Sequence, residues 1–173
     1  MRLLKHLKLT VALALAALIM WALWPLTASA NPETLEVTAP SPITLGSLYG
    51  ATGYATGTSS TSGTVLCEGY ANGYTLKINS NKADGIMQEP GNQKLANALL
   101  VTADLVDGTG ASATQVIADD VTVTTGLQEV GHTTASSSGT NNIALSVKQA
   151  KQITGVPTAT YSLTLTFTAS ANS

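Results

Sequence analysis

The sequence predicts an all-β protein, a single antiparallel sandwich, and three observations predict it. The first is composition. Thr, Ser, Gly, Ala and Val dominate after the thirtieth residue, and the chain is only 10% charged and 5% aromatic. Branching at Cβ crowds a side chain in a helix and packs well on a pleated sheet. The second is alternation: Tyr161, Leu163, Leu165 and Phe167 fall on one face of 160–170, and Ser162, Thr164, Thr166 and Thr168 on the other. That period of two marks a strand buried on one side. The third is spacing. Short apolar runs recur about every 10 residues between Gly/Ser turns, the rhythm of a sandwich and not of a helix-linked parallel sheet.

The chain opens differently. Arg2, Lys5 and Lys8 precede an apolar run over 11–26, Pro25 breaks it, and Ala28-Ser29-Ala30 closes it. A basic start, a short apolar stretch and an A-x-A site make a secretory signal, with cleavage expected between Ala30 and Asn31. The run is about 16 residues, whereas a spanning helix needs roughly 20, so no membrane span is expected in the mature chain. The expected organisation is a signal peptide over 1–30 and a β-sandwich domain over 31–173, secreted to the periplasm or the cell surface.

Cleavage removes three of the eight basic residues, which leaves Lys77, Lys82, Lys94, Lys148 and Lys151 against ten acids, a formal charge of −5. Nucleic acid and anionic lipid both demand basic clusters. Neither is expected as a partner, and protein or neutral glycan is. Cys67 is the one cysteine, so no disulfide can close within the chain. Its place in Thr64-Val65-Leu66-Cys67 predicts burial as a small apolar side chain.

The elements follow in order. Leu35 and Val37 alternate at the start of the mature chain, and Ile43 and Leu45 do so after Pro40 and Pro42. Residues 63–68 form a short apolar run. Asn72-Gly73 signals a turn into Tyr74-Thr75-Leu76-Lys77-Ile78. A strand is predicted over 99–106, ended by Asp107-Gly108. Val116-Ile117 and 121–123 are shorter candidates, 143–147 is a firmer one, and 160–170 closes the series. Residues 50–63 and 131–140, rich in Gly, Ser and Thr, read as loops. No segment has the apolar spacing of a helix, although 93–100 has room for one or two turns. Eight or so strands in this order suggest an immunoglobulin-like Greek-key sandwich.

Groups that carry chemistry are sparse. His132 is the only mature histidine, expected in a loop ahead of Ser136-Ser137-Ser138, and nothing resembles a G-x-S-x-G elbow. One His and one Cys supply too few nitrogen and sulfur ligands for a transition metal. Asp104, Asp107, Asp119 and Asp120 could offer oxygen ligands to calcium, but their spacing is not that of an EF-hand loop, and Asp before Gly is first a turn former. No catalytic, cofactor-binding or metal residue is assigned, and no enzymatic activity is expected. Tyr49, Tyr54 and Tyr70 are the candidates for contact with a glycan.

Four ordered stretches resemble the secreted domain of spore coat protein U and the pilins of archaic chaperone–usher systems. They are Ile43-Thr44-Leu45-Gly46-Ser47-Leu48; Thr64-Val65-Leu66-Cys67 with Gly73-Tyr74-Thr75-Leu76-Lys77-Ile78; Met87 with Leu95, Leu99 and Asp104; and the closing 157–167, with Pro157, Tyr161 and Phe167. The resemblance implies a structural subunit of a pilus or coat-like layer, with other copies, other surface subunits or a periplasmic chaperone as partners. It further implies assembly by β-strand complementation, with 31–39 as donor and Leu35 and Val37 as the inserting residues. Where that family carries a first-strand cysteine bridged to the equivalent of Cys67, this chain has Leu35 and Glu36, so Cys67 is left unpaired. A second resemblance is to WxL wall-binding domains, whose Trp-x-Leu motifs would fall near Tyr74-Thr75-Leu76 and Thr166-Phe167-Thr168. It implies a module that binds cell wall or glycan.

Overall fold

The computed structural model describes residues 32–50, 52–110, 112–117, 119–135, 138–152 and 159–173. The expected signal segment, with its expected cleavage point at Ala30 and Asn31, lies outside them. Asn31–Ser173 is one compact unit. Its strands are β1 (Thr34–Thr38), β2 (Tyr54–Thr58), β3 (Gly63–Glu68), β4 (Tyr74–Ser80), β5 (Leu100–Val106), β6 (Thr114–Gln115), β7 (Val121–Thr122), β8 (Gln128–His132), β9 (Gly139–Ala150) and β10 (Leu165–Ala171). No helix occurs among the described residues.

These strands make the predicted all-β sandwich of two antiparallel sheets. One runs β1-β3-β9-β5-β7 with β2 also on β9, and the other runs β10-β4-β8-β6. The spine is β9, at 12 residues the longest strand. Along one edge its first half pairs with β3, from Cys67↔Gly139 to Gly63↔Ile143, and its second half with β2, from Thr58↔Ser146 to Tyr54↔Ala150. Along its other edge it pairs with β5, from Val106↔Asn142 to Leu100↔Lys148.

Alternation translates directly into burial. Every second residue of β3, β4 and β5 is buried, beginning at Gly63, Tyr74 and Val101. Val65, Leu76, Ile78, Ala103, Val130 and Ile143 lose all contact with solvent in the core between the sheets. Apart from the small Ala103, each such side chain contributes roughly 1.5–3 kcal/mol through its removal from water. Two polar side chains are buried near the ends of β9. Asn141 Nδ2 donates to Tyr74 Oη at 3.1 Å, and Gln149 Nε2 to the Asn97 carbonyl at 3.1 Å. Those bonds offset part of the cost of taking the amides out of water, with Gln149 Oε1 left without a hydrogen-bond partner among the described residues. The predicted turn ahead of β4 is present, with Gly73 at φ +73.

Several sequence expectations are corrected. Residues 50–63 are not all loop, because β2 lies within them. Its inner positions, Ala55 and Gly57, give little apolar signal because Ile43 and Leu45 fill that space. A Cβ on Gly57 would stand 2.4 Å from Ile43 Cγ2 and 3.1 Å from Leu45 Cδ2. Residues 131–140 contain the end of β8 and the start of β9. Strand β8 was hidden because Val130 is its only apolar residue and because it is bulged. Leu76 pairs with Gly131 but Lys77 with Glu129, so Val130 is extra and two successive residues, Val130 and Gly131, face inward. Val116-Ile117 is not a strand; pairing there occupies Thr114–Gln115. The closing strand is regular only from Leu165, and Tyr161 before it is half-buried. Residues 93–100 hold no helical turn. Lys94 instead makes an isolated bridge to Gln88, which also bridges Ser162.

Candidate functional site

The core is incompletely covered at the seam where the two sheets end beside each other. Strand β1 ends one sheet and β10 the other, and the two are in contact. Leu35 and Val37 on β1, with Leu165, Phe167 and Ala169 on β10, pack on the core yet remain only half-buried. Their neighbours on β3 and β4 are fully enclosed. The difference is positional: a terminal strand has a packed neighbour on one side alone. Ile43, Leu45 and Leu163 are half-buried in the same way.

Leu35 and Val37 lie in this domain's own first strand. Residues 34–38 pair antiparallel with β3, and Leu35 stands directly opposite Cys67, Val37 opposite Val65. Beyond Thr38 the chain leaves the sheet through Pro40 and Pro42. Between them the Ser41 N–H donates to the Thr61 carbonyl at 3.0 Å, and its hydroxyl pairs with Ser59 Oγ at 2.9 Å. Proline cannot continue a ladder, so β1 is a short edge element set off by prolines. Cys67 is 2% exposed and unpaired. Burial pushes its thiol above the usual range, while a backbone hydrogen bond at Tyr70 pulls the other way.

The remaining candidates separate into distinct places. His132 is on β8, not in a loop, opposite Thr75 on one side and Thr114 on the other. Its Nδ1 lies 2.6 Å from Glu129 Oε1. Strand residues three apart normally face opposite ways, and the bulge at Val130 is what turns both to the outer face. Opposite His132 on β4, Thr75 Oγ1 donates to Asn172 Oδ1 at 2.8 Å. Ser136 and Ser137 lie outside the described residues.

Three of the four aspartates gather over β5 and β9. Asp104 accepts from Gln115 Nε2. Burial first and the charge of Asp119 second hold its carboxyl above the usual carboxylate range. Asp120 takes a left-handed backbone, φ 61, donates its N–H to Thr102 Oγ1 at 3.1 Å, and binds Lys148 Nζ at 2.8 Å. Asp107 stands apart as a turn former, accepting from the Ala113 N–H at 2.7 Å. Among the described residues no group of three or more His, Cys, Asp or Glu is placed to hold a metal ion.

The tyrosines divide as well. Tyr74 is buried, and Tyr70 is half-buried against the core. Tyr49 and Tyr54 are 57% and 55% exposed. They share one corner of the sandwich, because Tyr49 bridges Gln152 and Tyr54 pairs with Ala150 two positions earlier. Set against family models, curated proteins and solved structures, the chain matches none.

Proposed function

We propose that this chain is an exported, non-enzymatic surface subunit that assembles with copies of itself into a pilus or coat-like layer by exchanging β1. The observation that carries the reading is the β1 seam. A five-residue edge strand between Pro32 and Pro40 covers the core with two half-buried side chains, Leu35 and Val37. A short terminal strand of this kind loses little by leaving. The β1 of a neighbour would restore the same five pairs with β3 and place the same two side chains in the same pockets. The basic-apolar-AxA start supports export, and the four stretches resembling spore coat protein U and archaic pilins support a structural role.

The test uses the register of Leu35 with Cys67. Directly opposed residues of antiparallel strands bring their Cβ atoms to about 4.5–5.5 Å, near the span a disulfide needs. Leu35→Cys protein, prepared by export of the full chain, is oxidised after assembly and, separately, before it. Exchange predicts chain-to-chain disulfides and a ladder on a non-reducing gel in the first case. In the second it predicts a locked monomer that no longer assembles until reduced. Assembly by the locked monomer at the wild-type rate would refute exchange.

A second reading has its own observation, the pair of exposed rings at Tyr49 and Tyr54. Such rings stack on sugar faces, which fits a module that binds cell wall or glycan. A Tyr49→Ala/Tyr54→Ala protein that sediments with peptidoglycan as wild type does would remove it.

A further inference from the structure

Among the described residues five strands pair along one side only, β1, β2 and β7 in one sheet and β10 and β6 in the other. Four of them are short or interrupted, β2 being five residues with Gly57 within it. Strands β6 and β7 are two residues each, too short to template another strand. Strand β1 has five residues, with Glu36 pointing outward and prolines at both flanks. Short length, charge and proline are the usual means by which sheets avoid edge-to-edge pairing. Strand β10 has none of them. It runs seven residues, Leu-Thr-Phe-Thr-Ala-Ser-Ala, with no charge, no proline and no glycine. It pairs with β4 in an unbroken register from Leu165↔Ser80 to Ala171↔Tyr74, with no bulge to turn its free edge away.

We infer that the free edge of β10 is a self-association surface, and that its occupant is β10 of a second copy, paired antiparallel about a two-fold axis at Thr168. The sequence of the strand is what selects a copy of itself. With Thr168 opposite its own counterpart, Phe167 faces Ala169, Thr166 faces Ser170 and Leu165 faces Ala171. Odd positions, which face the core, meet odd positions, and the exposed even positions meet even ones. Each large apolar side chain lies beside a small one, so the apolar seams of the two copies join without overpacking, and no like charges are opposed. Pairing adds one ladder of backbone hydrogen bonds, joins two four-stranded sheets into one, and covers half-buried Leu165 and Phe167. This contact is isologous and closes a pair, whereas exchange of β1 links subunits through the opposite sheet. Strands β1 and β10 touch at the seam, but the two contacts use different strands and different pairings and can fail separately.

The test is sedimentation velocity across a range of concentrations on exported wild-type, Thr168→Lys and Thr58→Lys proteins. Thr168 and Thr58 are both exposed strand residues. Only the substitution at Thr168 sets two ammonium groups opposite each other across the axis, so Thr58→Lys controls for added charge. On freshly exported protein, before β1 exchange has begun, the expected result is dimer in wild type and Thr58→Lys, with dissociation about tenfold easier in Thr168→Lys, more so at low salt. Wild type that stays monomeric at high concentration, or Thr168→Lys that dimerises as wild type does, would overturn the inference. Oxidised Leu35→Cys protein separates the two contacts: with β1 locked, it should still dimerise through β10, and loss of that dimer would also overturn the inference.

Discussion

Replacing Gly57 with alanine should destabilise the wild-type domain and stabilise one that already carries Ile43→Ala. In the structure a Cβ at position 57 would lie 2.4 Å from Ile43 Cγ2, 3.9 Å from Ile43 Cβ and 3.1 Å from the end of Leu45. Carbon atoms in contact prefer about 3.5–4.0 Å, so the γ-methyl of Ile43 is more than an ångström too close. Overpacking of this kind costs about 1–3 kcal/mol. Against it stands a gain of about 0.4–1 kcal/mol, because alanine restricts the unfolded chain at a position whose backbone it can adopt. The net effect of Gly57→Ala is a loss of about 0.5–2 kcal/mol. Ile43→Ala alone should cost about 1–2 kcal/mol, below the usual range for a core deletion because the side chain is only half-buried. It removes the offending methyl and leaves Cβ at an ordinary distance, and the flexible end of Leu45 can shift by a few tenths of an ångström. In that background Gly57→Ala should raise stability by about 0.4–1 kcal/mol. The four proteins are compared by urea unfolding followed by far-ultraviolet circular dichroism, with the slope m unchanged throughout. If the costs of the two substitutions simply add, the packing of the 43–45 segment on β2 is not what makes position 57 a glycine.

Three further expectations concern the interior and the surface. Asp104 should make stability fall as pH rises. Its folded carboxyl titrates above the ordinary value of 3.8 because burial, and then Asp119, disfavour the charge, so the folded state holds its proton more tightly than the unfolded state. The contribution is complete below the ordinary value and is lost as pH climbs through the raised one. Asp104→Asn should therefore be the more stable protein at pH 7, with the gap to wild type closing in acid, as followed by thermal unfolding across pH. Ile78→Ala, at a fully buried position of β4, should cost about 2–5 kcal/mol in the same assay. Leu127→Ala, at 58% exposure, should stay within about 0.5 kcal/mol of wild type.

The interior strands were legible from sequence because their information is local. In 74–78, 143–147 and much of 99–106 apolar residues alternate with polar ones, and a period of two is all a strand needs to place one face in a core; 63–68 was legible as a short apolar run. The buried tyrosine at 74, the turn at Gly73 and the alternation of Leu35 with Val37 are local in the same sense. Strands whose inner positions are filled by other segments carry no such mark. Gly57 is small because Ile43 lies over it. Strand β8 loses its alternation at Val130 because Leu76 and Lys77, far earlier in the chain, pair across a bulge. A third of β9 was unreadable for a related reason: Gly139, Thr140, Asn141 and Asn142 become strand because β3 supplies their partners, with β5 joining only at Asn142.

The candidate site divides along the same line. Sequence alone determined a Thr-rich sandwich with two apolar side chains, Leu35 and Val37, ahead of its other strands and a strongly alternating strand after them. Only the tertiary structure decided that Leu35 stands opposite Cys67, that His132 and Glu129 share a face, and that β1 and β10 are terminal strands meeting at a half-covered seam. Whether a strand is an edge depends on which strands lie beside it, a property of sheet order and not of any residue in the strand. The alternation of Leu165, Phe167 and Ala169 would read identically at the centre of a sheet, and their half-burial here follows from pairing with β4 alone among the described strands.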